Sequence, residues 1–270
     1  MKNLTVLLSC MHQDDASIVL RSNIRTDAVV INQCETDSLS QLILTTDGGK
    51  PLHVTYRCTS QRGLSRSRNM AIHTASAADI CVLCDDDETF SDDYQQTIEQ
   101  AYEQYPDADL IAFQVVTPDD PYLKKNYSDK TKRVGKLQAL KIGSCQISFR
   151  RQSILDNNIS FDEQMGSGTS HGCGEENKFL FDCLNKKLTI MYVPRIIATL
   201  NEKPDSNWFQ GFTPRFFLER GWATARYMGK PAALLYAFYY AIKKYPLYHS
   251  ETGFVRALGQ MVVGIFKSTL

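Results

Sequence analysis

The sequence predicts an α/β protein whose central sheet is largely parallel, followed by a helical C-terminal extension. Short apolar runs alternate with helical patterns through most of the chain, which is how β-α-β units read. One of those runs, at residues 80–90, reads ICVLCDDDETF: five apolar residues suited to a buried strand, then three aspartates. From Trp208 onward the pattern is mostly helical. At 270 residues the chain suits one large domain, or one domain with an appendage.

In order, residues 4–9 read as a first strand, 28–33 as a second and 53–56 as a short third, followed by a helix over about 65–77. Residues 80–84 form the next strand. A helix over 91–105 is capped by Ser91, with acids in its first turn. Residues 109–116 are a fifth strand. The polar stretch 117–136, with Pro118, Pro121 and Gly135, reads as a mobile excursion. Residues 137–150 suggest one or two strands broken at Gly143. Residues 166–174 (GSGTSHGCG) form a flexible loop into a helix over 175–185, and 188–200 is extended. There is no internal repeat.

Lys and Arg together balance Asp and Glu at 30 each, so no nucleic acid or other polyanion is implied as a partner. The balance is uneven along the chain. Residues 214–270 hold eight basic residues and two acidic ones, a net +6, which leaves −6 for the remainder of a neutral chain. The eight cysteines sit mostly in apolar settings, where a free thiol behaves as a small hydrophobe, and a reducing cytosol is expected. Cys81 and Cys84 have C-x-x-C spacing, but on a strand they point to opposite faces, and no second pair supports zinc. No signal-peptide pattern opens the chain and no stretch approaches about 18 apolar residues, so the expectation is a cytoplasmic protein that is neither exported nor membrane-spanning.

Carboxylates delivered from the end of a buried strand suit a hard cation, which prefers oxygen ligands. In open α/β sheets ligands bind outside those strand ends. Alternation along an extended segment puts Asp85 and Asp87 on one side and Asp86 on the other. Such a D-x-D pair can hold a divalent ion beside nucleotide phosphates; an acidic turn is the plainer alternative. Before the acidic strand, residues 63–69 (GLSRSRN) open a helix whose apolar stripe includes Leu64, Ala71 and Ala75. Arg68 falls on that stripe, placed to meet a phosphate or to form a structural ion pair with the aspartates. Arg66 reads as solvated.

A second acidic site is the helix start at Glu175-Glu176. Glu176 shares a face with Leu180, Cys183 and Leu184, whereas Glu175 lies about 100° away. Glu176 is therefore the carboxylate aimed at the protein body, where it could take a proton from an acceptor hydroxyl; helix capping is the alternative. Of the five histidines only His171 lies in an active-site loop, and it reads as a solvated residue on a lid.

Together these pieces resemble the family 2 glycosyltransferases, of the kind found in bacterial surface-polysaccharide synthesis. The likeness spans roughly residues 4–220 and rests on VLLS, on VVINQCETD, on GLSRSRN before CDDDETF, and on the late G-E-E helix start. It implies the GT-A fold: a Rossmann-like sheet with a nucleotide-sugar half at about 1–116, an acceptor half at about 137–205, and a helical extension at 206–270. It implies an inverting glycosyltransferase using a nucleotide-sugar donor, UDP foremost, and a glycan or lipid-linked acceptor. By resemblance Asp87 is the ligand of a divalent metal, Mn²⁺ or Mg²⁺. Asp85 serves the metal or the ribose, and Asp86, Arg68 and Asn69 belong to the donor site. The catalytic base falls on Glu176, with Glu175 as the alternative.

Where the family often has paired aspartates after its second strand, this chain has Asn32-Gln33, and Gln33 could still hydrogen-bond a pyrimidine. The Glu-Glu pair replaces Glu-Asp, lengthening the presumed base by one methylene. Where related sequences carry a histidine near the donor phosphates, Asn201 and Glu202 stand. The run from Asp85 to Thr89 also fits the D-x-D-x-T pattern of haloacid-dehalogenase-like phosphatases, with Asp85 as nucleophile and Asp87 as acid/base. A nucleotidyltransferase of similar fold and a non-enzymatic nucleotide-binding module are further readings. In the tail, 231–245 is apolar almost all round and 251–267 carries one apolar stripe. With the local charge near +6, this suits a segment lying on the anionic inner face of a membrane, or packing on the domain or in a homodimer.

Overall fold

The computed structural model describes residues 3–116, 127–201 and 211–268. The first half comprises β1 (Leu4–Met11), α1 (Ile18–Arg21), β2 (Asp27–Gln33), β3 (Ser38–Thr45), β4 (Pro51–Thr59), α2 (Leu64–Thr74), β5 (Ile80–Asp85), β6 (Glu88–Phe90), α3 (Tyr94–Gln104) and β7 (Leu110–Val116). There follow β8 (Lys132–Arg133), α4 (Lys136–Ala139), a 3₁₀ turn at Ser144–Gln146, β9 (Ile147–Arg150), α5 (Arg151–Asp156), α6 (Glu175–Asn185) and β10 (Ile190–Leu200). The tail holds α7 (Pro214–Met228), α8 (Lys230–Lys243), α9 (Tyr245–Tyr248) and α10 (Phe254–Lys267).

Ten strands form one sheet in the order β3-β4-β2-β1-β5-β9-β7-β10-β6, with β8 alongside β10. The central strands β4, β2, β1 and β5 run parallel, and β10 runs parallel to β7, with β9 reversed between β5 and β7. Both faces are covered, so the strands read as continuous apolar runs rather than alternating ones. In β1, Val6 and Leu8 enter one core while Leu7 enters the other, and Cys84 and Cys81 likewise part to opposite faces.

Three readings of the sequence are corrected. Strand β3 was not anticipated; it pairs antiparallel with β4 at the sheet edge, where Leu39 and Ile43 stay exposed. Residues 137–150 are not mainly strand: the first part is α4 and the 3₁₀ turn, and only β9 is extended. The helix expected from Ser91 begins at Tyr94 with Asp93 at its N-cap, and the Ser91 hydroxyl is buried without a hydrogen-bond partner. Of the expected excursion, residues 117–126 lie outside the described residues.

The tail packs in two directions. Trp222, Ala223 and Tyr227 of α7 join the core on the α2/α6 side of the sheet, while Phe217 and Ala225 join a small core with α8, α9 and α10. Helices α7 and α10 cross at backbone contact. A Cβ on Gly221 would lie 2.0 Å from the Met261 carbonyl oxygen, and one on Gly264 2.0 Å from that of Leu218. Among the described residues no helix is long and apolar enough to cross a membrane.

Candidate active site

The site forms where β5 ends. Asp85 pairs in register with Ser9 of β1, and the strand stops there, so Asp86 and Asp87 occupy a turn rather than extended positions. Strict alternation therefore does not set their directions, contrary to the sequence reading. The turn is fastened from β10: the Asn201 N–H donates to the Asp87 carbonyl at 2.7 Å, and its side-chain amide donates to Thr89 Oγ1 at 2.9 Å.

Helix α2 brings its first turn against this strand end. Ser65, Ser67 and Arg68 are buried there, and Ser67 Oγ meets Ser9 Oγ at 2.9 Å. Arg68, 1 % exposed, donates from Nη2 to both Asp85 oxygens at 3.0 and 3.1 Å, and from Nη1 to Glu175 Oε1 at 3.1 Å. Burial alone would lower the guanidinium pKa, but the charges of Asp85 and Glu175 outweigh it and keep Arg68 protonated. Asp85 also accepts from Ser144 Oγ at 3.3 Å. One buried cation thus ties the end of β5 to the start of α6. This is the ion-pair alternative for Arg68, and it leaves the guanidinium engaged with protein carboxylates rather than open to a phosphate.

Gly174 turns the chain into α6 with φ +90°, where a Cβ would meet Met165, Ala223 and Tyr227. The first two helical residues are Glu175 and Glu176. Glu175, not Glu176, is the more buried, because its stripe continues through Phe179 and Cys183. Glu176 is half-buried beside it. Burial, and next the Glu175 charge, raise the Glu176 pKa from 4.5 to about 8, and the two side chains share a hydrogen bond. A carboxylate near neutrality and uncommitted to a cation suits proton abstraction better than one bound to arginine.

Several expected site residues have other partners. Gln33 is buried, and its Oε1 accepts the Gly63 N–H at 2.8 Å; Asn32 holds Gln13 and Tyr56. The Asn69 amide clamps both backbone groups of Phe161, at 2.8 and 2.9 Å. Arg66 is paired with Glu163 at 3.0 Å. His171 is not solvated: Nδ1 lies 2.7 Å from Glu219 Oε2, and the ring stacks on Trp222 with centroids 3.5 Å apart. Sequence reasoning missed this brace because its partners lie about 50 residues away on α7, beyond any local pattern.

The turn's donor chemistry fits a divalent cation: Asp85, Asp86, Asp87 and Glu88 offer only oxygens. Glu88 is buried with Oε1 lacking a hydrogen-bond partner, and burial together with the Asp85 charge raises its pKa strongly. Among the described residues, however, no three His, Cys, Asp or Glu side chains already converge as a metal cluster.

The mostly parallel sheet thus carries an acidic turn at the end of a central strand and, joined to it through Arg68, a carboxylate pair at the start of α6. The sequence profile of glycosyl transferase family 2 matches residues 6–170. The chain belongs to that family and is a glycosyltransferase. The match includes Arg68 and Asp85 and stops short of Glu175. A comparison with curated protein sequences finds no match. Among solved structures, S. aureus TarS 1–349 in complex with UDP-GlcNAc aligns with TM-score 0.65 at 13% identity, covering 98% of this chain and 82% of that 1–349 chain. The same protein with UDP aligns with TM-score 0.62 at 13% identity, covering 98% and 81%. This likeness is one of fold, the GT-A-like α/β arrangement.

Proposed function

We propose that this chain transfers a sugar, with inversion, from a nucleoside-diphosphate donor to a glycan or lipid-linked acceptor in polysaccharide synthesis. UDP is the nucleotide favoured, because the S. aureus TarS structures of the same fold carry UDP-GlcNAc and UDP. The observation that carries the reading is the Asp85–Arg68–Glu175 chain with Glu176 at its end. The acidic turn is the donor side, and the α6 start is the acceptor side.

In this reading Glu176 removes the acceptor hydroxyl proton as that oxygen attacks the anomeric carbon. Arg68 is a positioning residue: it holds Asp85 and Glu175 at fixed separation. Asp87, with Asp85, would hold Mn²⁺ or Mg²⁺, which when bound offsets charge on the departing diphosphate. Gln33 shapes the donor pocket through Gly63, and Asn69 does so through Phe161. A phosphatase using Asp85 as nucleophile is disfavoured, because hydrogen bonds from Arg68 to both oxygens weaken that carboxylate as a nucleophile, while each oxygen keeps a further lone pair for a metal.

We assign the catalytic unit to residues 1–205 and the helical extension to 206–270, the extension seated peripherally on an anionic membrane. The support is an outer face of Leu235, Phe238, Tyr239 and Ile242, each more than half exposed, flanked by Lys230, Lys243 and Lys244. Replacing Glu176 by Gln should leave donor binding intact and reduce transfer by about 10² or more. Near-normal turnover by that variant would remove Glu176 from the base role.

A further inference from the structure

Arg220 of α7 has no ion-pair or hydrogen-bond partner among the described residues. Its guanidinium is held between two rings, 4.9 Å from the centroid of Phe216 and 4.7 Å from that of Tyr240, and its Nε is buried with no acceptor. Glu219, its neighbour in sequence, and three further acids of the surrounding elements have other partners. Glu219 binds His171, Glu251 accepts the Phe212 N–H, Glu175 binds Arg68, and Asp162 binds Arg226.

Arg220 is half-buried: its Nε is closed off from water without an acceptor, and each ring face gives about 1 kcal/mol. An anion reaching the open end of the guanidinium would add charge-assisted hydrogen bonds that the rings do not give. The planar fork, already oriented by the rings, matches the paired oxygens of a phosphate.

The position connects two parts of the molecule. Tyr227, two turns after Arg220 on α7, packs on the start of α6, where a Cβ on Gly174 would lie 3.6 Å from its ring. Tyr240 belongs to α8, whose outer face is the exposed apolar one. A phosphate at Arg220 would sit between the carboxylate pair and that apolar face. We propose that Arg220 binds a phosphate group of the acceptor, so that the acceptor is a phosphorylated molecule delivered from the α8 side. This deepens the assignment of α6 as the acceptor side and rests on it. The phosphate could belong to a lipid carrier or to a soluble molecule.

The test is calorimetric titration of the full chain, with and without saturating UDP and Mn²⁺, using inorganic diphosphate, a short-chain prenyl diphosphate and the matching prenyl alcohol in dilute nonionic detergent. Both diphosphates should bind with UDP present and the alcohol should not. Arg220→Gln should weaken both by roughly tenfold or more, the loss of charge-assisted hydrogen bonds, while UDP affinity stays unchanged. Arg220→Lys should fall between, and it decides the matter if the Gln variant does not fold. Tighter binding of the prenyl form than of inorganic diphosphate identifies a lipid source; equal binding identifies a soluble one. Wild-type affinity in Arg220→Lys and Arg220→Gln, or no diphosphate binding by the wild type, overturns the proposal. UDP binding is read separately, so a failed donor site would not be mistaken for a failed Arg220 site.

Discussion

If Glu176 is the base, its raised pKa fixes the pH at which the enzyme works. With a pKa of about 8, the carboxylate is roughly one-tenth ionised at pH 7, so transfer should rise about tenfold between pH 7 and pH 9 before levelling. The main cause is burial and the second is the Glu175 charge, so Glu175→Gln should move the limb down and leave the burial component in place. The same shift acts on stability. Glu176 holds its proton more tightly folded than unfolded, so its contribution is full below about pH 4.5 and is lost as pH rises through about 8. Transfer is followed by nucleotide release under saturating donor from pH 6 to 9.5, and stability by urea denaturation over the same range. A flat rate profile in the wild type, or a limb unmoved by Glu175→Gln, would refute the reasoning; so would a pH dependence of stability equal in Glu176→Gln and wild type.

Arg68→Met leaves Asp85 and Glu175 facing each other across a buried gap and should cost about 3–5 kcal/mol, read from urea unfolding at pH 7; a loss below about 1 kcal/mol would mean the pair is solvated. Asp87→Ala should abolish the part of UDP-induced thermal stabilisation that depends on Mn²⁺, and an unchanged shift would remove Asp87 from the metal site. Replacing Leu235 and Phe238 by Ser should prevent flotation with anionic vesicles at low salt, and undiminished flotation would remove α8 as the membrane contact.

What was legible in the sequence follows the physics of burial. Strands β1, β2, β5 and β7 are covered on both faces and appear as unbroken apolar runs. Strand β3 has its residues 39 and 43 in water, so its pattern carries no burial signal. The inward stripe of α2 identified Arg68, because a lone cation among apolar positions at helical spacing must find an anion. Its partners were not legible: Asp85 and Glu175 are 17 and 107 residues distant, and only the sheet order brings them together. At the α6 start, a one-residue error in face reversed which glutamate is deeper, since two adjacent side chains differ by only about 100°.

The placement of Arg68 also explains why two carboxylates next to each other can take different tasks. Glu175 and Glu176 share a hydrogen bond and a desolvated corner, where two negative charges would repel. The cation is not shared equally: Nη1 binds Glu175, and Glu176 has Arg68 only as a lesser influence, after burial and the Glu175 charge. The proton is thereby assigned to Glu176, the member of the pair that the guanidinium does not hold. Because the same guanidinium grips Asp85, a cation that draws Asp85 away would leave Arg68 freer to compensate charge on the α6 pair. Filling the donor side would then lower the Glu176 pKa and make the base available when a donor is present. The acidic limb of single-turnover transfer, measured with donor prebound, should accordingly lie below the limb measured at limiting donor. Coincident limbs would show that Arg68 holds both carboxylates rigidly and transmits nothing.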